Sequence, residues 1–347
     1  MIDENDSVIV APPGPFSLWV RKVIGALAKH ALNGPIRVLD VKRAGKLGTR
    51  ANDVSSRILY YNYPSLELMG VIERGASRIL CVTEPPLSVL NHQLRESDLT
   101  PIKAIRLCTR SYVANRSLRM SRQAHIIDRS YPMAVRELLD AFCTYFNIDV
   151  EPSVLDDYAL KLLPDGAVAG PEIDAATRKF KPEPNESGEK SSNPGDDQVP
   201  ELCKHILDPM AAMLTASELP PIVWSRNVFC CATAATPPAP QVVDLTGPAR
   251  TLYHGPFLHL PAGTYEAEFI VALNSRAKEK FFRVDAYSGK NCLARARLEF
   301  PESGGFTGRL KFKVTNIIPE IQIQFIAERG AIGGEFSLLQ VVLHSKN

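Results

Sequence analysis

The spacing of apolar residues changes character across the chain, and the change is separated by a segment with almost no apolar side chains. Up to about residue 165, short apolar runs (SVIVA, PIRVLDV, RILYYN, SRILCVT, AHIID) alternate with longer helical periods. The helical stretches are FSLWVRKVIGALAKHAL, SLELMGVIERG, PLSVLNHQLRE and AVRELLDAFCTYFN. Strands separated by helices of that length predict βαβ units and a mainly parallel sheet. From about residue 240 the pattern becomes short period-two runs broken by Gly, Pro, Ser and Asn, with no helical signal. This predicts an antiparallel β-sandwich. Between them, KFKPEPNESGEKSSNPGDDQVP cannot bury enough surface to offset its ordering entropy, and reads as a disordered linker. The expected fold class is therefore α/β plus all-β, divided as 1–175 (α/β), 176–200 (linker), 201–239 (a helix, LCKHILDPMAAML, and a Pro/Ala-rich spacer) and 240–347 (sandwich).

Composition narrows the classes. A formal charge of +2 over 347 residues argues against a strong nucleic-acid binder. No apolar run reaches the roughly 20 residues needed to span a bilayer. Asp3, Glu4 and Asp6 replace the basic start of a secretory signal. The seven cysteines show no CxxC spacing, which favours reduced thiols over disulfides or zinc. A cytoplasmic protein without a metal is the expectation.

The first junction carries the most chemistry. Val8-Ile9-Val10 runs through Ala11-Pro12-Pro13-Gly14 into an amphipathic helix. At such a junction the backbone N–H groups of loop and helix start point at a bound phosphate. The loop Pro13-Gly14-Pro15-Phe16-Ser17-Leu18-Trp19, followed later by SRILCVTEPPLSVLNHQL, resembles the sulfotransferase family over roughly residues 7–165. Pro13, Ser17 and Trp19 coincide with that family's P-K-S-G-T-T-W loop. The resemblance implies 3′-phosphoadenosine 5′-phosphosulfate as sulfuryl donor, with Gly14, Ser17 and Ser88 as cofactor-binding positions. It further implies group transfer to a sugar hydroxyl, assisted by a general base.

Three departures weigh against that donor. Gly14 stands where the family has its lysine, Phe16 replaces the loop glycine, and Glu84 replaces the arginine that pairs with the 3′-phosphate. A carboxylate repels a phosphate dianion, and two lost charge-assisted contacts remove about 1.5–3 kcal/mol each. The loop then reads as the shell of a nucleotide site, or as one rebuilt for another ligand.

Arginines crowd residues 95–130, and Arg106 and Arg110 are candidate substrate-binding groups, against the alternative of a solvated helix face around SLRMSRQAH. His30, His92 and His125 are candidate general bases or structural histidines. Asp40 and Asp128 sit at strand ends, either in a site or as caps.

The stretch TGPARTLYHGPFLHLPAGTYEAEFIVAL resembles β-sandwich modules appended to bacterial glycosyltransferases and polysaccharide-modifying proteins, over about 240–347. It implies a carbohydrate partner. Tyr253, His254, Tyr265, Tyr287 and Arg329 are candidates for stacking on and hydrogen bonding to sugar rings, with a core or turn role as the alternative. Tyr265 and Tyr287, with Lys280, Arg283, Lys290 and Arg295, favour an acidic oligosaccharide. Trp224 is expected to pack a domain junction. Two functions remain open: a bacterial polysaccharide-associated protein that transfers a group to, or recognises, a glycan, and a non-catalytic protein that binds glycan or a protein partner.

Overall fold

The computed structural model describes residues 6–31, 36–40, 56–63, 69, 70, 72, 74, 78–119, 121, 124–129, 134–161, 198–214, 218–231, 237–274, 281–300, 302–315 and 320–346. These divide into two compact units, one formed by Met1–Leu99 and Ala114–Asp197, the other by Thr100–Val113 and Gln198–Asn347. Most of the SLELMGVIERG helix and the linker lie outside the described residues.

The first unit begins with β1 (Asp6–Val10), α1 (Pro15–Ala31), β2 (Ile36–Asp40), β3 (Ser56–Tyr61), β4 (Arg78–Thr83) and α2 (Pro86–Glu96). Then come α3 (Pro101–Arg119), of which this unit takes the last residues, β5 (Ala124–Asp128), α4 (Val135–Phe146) and α5 (Pro152–Lys161). All strand pairs are parallel, in the order β2-β3-β1-β4-β5. The parallel sheet is as expected, with β1 at its centre. Val8, Ile9 and Val10 are wholly buried, which explains why β1 reads as an unbroken apolar run rather than an alternation. Phe16, Trp19, Val20, Val23, Ile24 and Leu27 recur at helical spacing and join Ile9, Leu80, Val82 and Phe142 in one core.

Among the described residues of the basic stretch 95–130, Arg95 and Lys103 are exposed, whereas Arg106, Arg110, Arg116 and Arg119 are half-buried. Much of it is α3, in which Ile102, Ala104, Ile105, Cys108, Tyr112, Val113 and Leu118 are buried between the arginines. Residues 100–113 group with the second unit, although they fall inside 1–175.

That second unit continues with a helical run, α6 (Val199–Leu202), a π-helical turn (Cys203–Leu207) and α7 (Asp208–Ala212). Its strands are β6 (Ile222–Ser225), β7 (Cys230–Cys231), β8 (Val243–Asp244), β9 (Arg250–Leu258), β10 (Gly263–Asn274), β11 (Phe281–Ser288), β12 (Asn291–Glu299), β13 (Gly304–Val314), β14 (Ile321–Ala327) and β15 (Glu335–Lys346). One antiparallel sheet runs β13-β10-β15-β6 with β8 on β15; the other runs β12-β11-β14-β9-β7. Phe269 of β10 meets Phe325 of β14 edge-on at 5.4 Å, and Phe282 of β11 stacks on Phe336 of β15 at 5.2 Å. The sandwich core lies between the two sheets.

Strands β6 and β7 fall in the 201–239 stretch, so the sandwich starts before residue 240. Trp224, expected at a domain junction, is a buried residue of the sandwich strand β6, opposite Val341 of β15.

Candidate functional site

In a parallel sheet, ligands bind beyond the carboxyl ends of strands, where successive connections leave in opposite directions. In this sheet that point lies between β1 and β4. The chain leaves β1 toward β3 and β2, and leaves β4 toward β5. The register Val10↔Cys81, counted three residues onward, brings Glu84 beside Pro13 and Gly14.

Glu84 fills this position. Its carboxylate accepts hydrogen bonds from the Phe16 N–H (3.2 Å), the Ser17 N–H (3.2 Å) and the Ser17 hydroxyl (2.8 Å), at the N-terminus of α1. It is 3% exposed. Burial pushes its pKa up to about 7, against the opposing pull of the Ser17 hydroxyl, the two backbone N–H groups and the Arg129 guanidinium. The loop is tied from elsewhere too. The Gln93 side-chain amide donates to the Pro13 carbonyl (2.9 Å), and Asn62 Nδ2 donates to the Ala11 carbonyl (3.1 Å). A Cβ on Gly14 would stand 2.0 Å from Glu84 Oε1, so glycine is required by the close approach of the carboxylate.

This arrangement does not fit 3′-phosphoadenosine 5′-phosphosulfate. The helix-start donors and the Ser17 hydroxyl already hold the Glu84 carboxyl, and Gly14 has no room for a side chain while Glu84 is in place. Gly14 and Ser17 therefore serve Glu84. Ser88 instead lines a neighbouring cavity of about 290 Å³, with Pro15, Pro85, His92, Arg95 and Arg129. Burial holds His92 below its ordinary pKa, against the opposing pull of Glu96. His125 stacks on Tyr145 at 5.0 Å, and Asp128 ends β5. The side chains of His30 and Asp40 lie outside the described residues.

On the sandwich, strand phase sorts the remaining candidates. Phe282 and Phe325 face the core, so Arg283, Asp285, Tyr287, Gln322 and Gln324 occupy the opposite face of the β12-β11-β14-β9 sheet. Register aligns Arg295, Asp285, Gln324 and His254 in one row across four strands.

Asp285 is the fully buried member of this row and accepts from three sides: Arg295 Nε (3.0 Å), Arg283 Nε (3.1 Å) and the Tyr287 hydroxyl (3.2 Å). Glu328 takes Arg283 Nη1 (3.2 Å) and Arg297 Nε (3.4 Å). Three arginines thus meet two carboxylates. Arg295 and Arg297 remain 52% and 74% exposed, so both keep guanidinium donors open to solvent.

The other expected sugar contacts are elsewhere. Tyr253 and Tyr265 are core residues, 0% and 1% exposed, whose hydroxyls donate to the Pro240 and Pro261 carbonyls. No sugar ring can stack on them. Arg106 donates to the Pro256 carbonyl (2.8 Å) and lies 4.9 Å over the Phe257 ring, while Arg110 is half-buried on the same helix. Both belong to α3 packing and not to an open basic patch. Arg329 stacks on Phe281 at 4.3 Å. Lys280 lies outside the described residues. Asp285 itself was missed by sequence reasoning. Its signal was an acidic residue in phase with Arg283 and Tyr287 on a strand whose alternate residues are apolar.

Among the described residues no group of three or more His, Cys, Asp or Glu could hold a metal ion, and no helix is long and apolar enough to cross a membrane. No family model matches the chain, and no curated protein sequence matches it. Several solved structures are similar over part of it. A Stig cyclase, FisC from Fischerella sp. TAU, is 16% identical over 28% of this chain and 56% of its own, with a TM-score of 0.22. The chain thus spans a little over half the length of that cyclase. The C-terminal CBM6 of LamC, a laminarinase from Zobellia galactanivorans, is 18% identical over 37% of this chain and 94% of its own (TM-score 0.23). A family 16 carbohydrate-binding module is 13% identical over 29% and 73% (TM-score 0.23). At these scores the similarities assign neither function nor ligand.

Proposed function

We propose that this protein recognises an acidic oligosaccharide on the outer face of the β12-β11-β14-β9 sheet, and that its α/β unit is a sulfotransferase-like frame that does not bind the sulfuryl donor. The observation that carries the reading is the Arg283–Asp285–Arg295–Tyr287 constellation. A buried carboxylate fixes two guanidinium planes and a phenol on one face of the sheet, where the Arg283 and Arg295 side chains are 24% and 52% exposed. Fixed guanidinium groups suit carboxylate or sulfate groups on a sugar, because their paired donors match two oxygens at once. Gln322 and Gln324, joined at 3.1 Å, supply amides for hydroxyls on the next strand. Preorganisation by Asp285 lowers the ordering cost of binding. For the α/β unit, the support is Glu84 in the donor's place.

Isothermal titration of the full chain with uronic-acid and sulfated oligosaccharides, and with neutral glucans, tests this. Acidic sugars should bind and neutral ones should not. Arg295→Ala should weaken binding about tenfold or more, the value of one lost charge-assisted contact. Arg309→Ala, on the other sheet and paired with Glu268, should leave affinity unchanged. Silence toward every acidic sugar, or binding indifferent to Arg295, refutes the proposal.

A further inference from the structure

We propose that the Glu84 carboxyl is the resident occupant of the junction in the α/β unit: it stands in for the phosphate or sulfate group that a strand–loop–helix junction would otherwise hold, and it closes the junction to such ligands. The two oxygens divide the available donors between them. Oε2 takes the Phe16 N–H, and Oε1 takes the Ser17 N–H together with the Ser17 hydroxyl. A bound oxyanion would use the same groups, the backbone amides at a helix start and an adjacent hydroxyl. The carboxylate is also pressed onto the loop backbone, since a Gly14 Cβ would overlap all three carboxyl atoms at 2.0–2.5 Å. An incoming sulfate would meet a volume that the carboxyl already fills and donors that it already engages. The closure is built from sequence-distant parts, 67 and 68 residues apart, so it is fixed by the β1–β4 pairing rather than by a local turn. The loop carbonyls held by Gln93 and Asn62 keep the donors facing Glu84.

The experiment compares full-length wild type with Glu84→Ala, using inorganic sulfate and phosphate as probes and chloride at equal ionic strength as control. Calorimetry and thermal melting are the readouts. Wild type should show no saturable binding. Glu84→Ala should bind sulfate or phosphate at least tenfold more tightly than wild type and should melt higher in sulfate than in chloride. Adding Ser17→Ala should cancel the gain, because it removes one of the vacated donors. Equal binding by wild type, or a folded Glu84→Ala without gain, overturns the proposal. Should Glu84→Ala fold only in sulfate, the anion has replaced the carboxylate and the proposal stands. Failure of both Glu84→Ala and Glu84→Asp to fold, in sulfate and chloride alike, overturns it too, because a replaceable occupant would be rescued by its replacement.

Discussion

Replacing Glu84 by glutamine removes the charge and leaves the shape, and its effect on stability should depend on pH with a sign opposite to that of a surface carboxylate. Burial lifts the Glu84 pKa from 4.5 to about 7. Between those values the folded protein holds a proton that the unfolded chain has released. The unfolded state therefore binds fewer protons, and stability falls as pH rises through this window. The contribution is fully present below pH 4.5 and is lost as pH passes about 7. At about 1.4 kcal/mol per pH unit of difference, the loss is roughly 3 kcal/mol.

Glutamine does not titrate, so this slope disappears from the variant. Its amide cannot accept from both sides as the carboxylate does, and one hydrogen bond will be lost at a cost of about 1 kcal/mol. That cost applies against the ionised carboxylate above about pH 7; below it the protonated carboxyl is nearer to the amide. The pH dependence of the difference between the two proteins therefore isolates the ionisation. Urea unfolding at pH 4.5, 6 and 8 measures it, followed through Trp19 in a Trp224→Phe background so that the α/β core alone reports. Relative to wild type, Glu84→Gln should gain about 3 kcal/mol between the two extremes. Parallel stability curves would mean that burial does not govern Glu84. A wild type that gains on the variant with rising pH would mean that the Ser17, Phe16 and Arg129 contacts outweigh burial.

Two further outcomes follow from the same geometry. Gly14→Ala should lower unfolding free energy by about 2 kcal/mol or more through overpacking against Glu84, and the same change in a Glu84→Ala background should cost under about 1 kcal/mol; melts of the four proteins of the cycle measure the coupling. Of the seven cysteines only Cys292 is exposed, and burial pushes Cys81 up to about 12 and also raises Cys143, Cys203 and Cys230, so a thiol reagent at pH 8 should label one thiol in native protein and seven in urea.

How much of this was legible in the sequence depends on whether a feature is periodic or a matter of register. The parallel sheet was legible because β1 and β4 are buried on both faces and carry unbroken apolar runs. The helix Pro101–Arg119 was hidden because its arginines interrupt the stripe made by Ile102, Ile105, Cys108, Tyr112 and Leu118. The tyrosines divide by phase. Tyr265 keeps step with Phe269 and Val271, which are core residues, whereas Tyr287 keeps step with Arg283 and Asp285. Tyr253 escapes the rule because a register shift in the β9–β14 pairing buries both it and Leu252.

Glu84 is the harder case. Read along the chain, it is an anion in an unfavourable place for a phosphate. Read across the sheet, it is an anion in a favourable place for itself, since the donors that would welcome a phosphate welcome any oxyanion at that point. The difference comes from the register Val10↔Cys81, which no local pattern carries. Gly14 was the available clue. A glycine that replaces a cation in an anion-binding loop either abandons the anion or makes room for one already attached to the chain. Because a glutamate stands three residues beyond the partner of Val10, the second reading follows as soon as β1 and β4 are taken as neighbours.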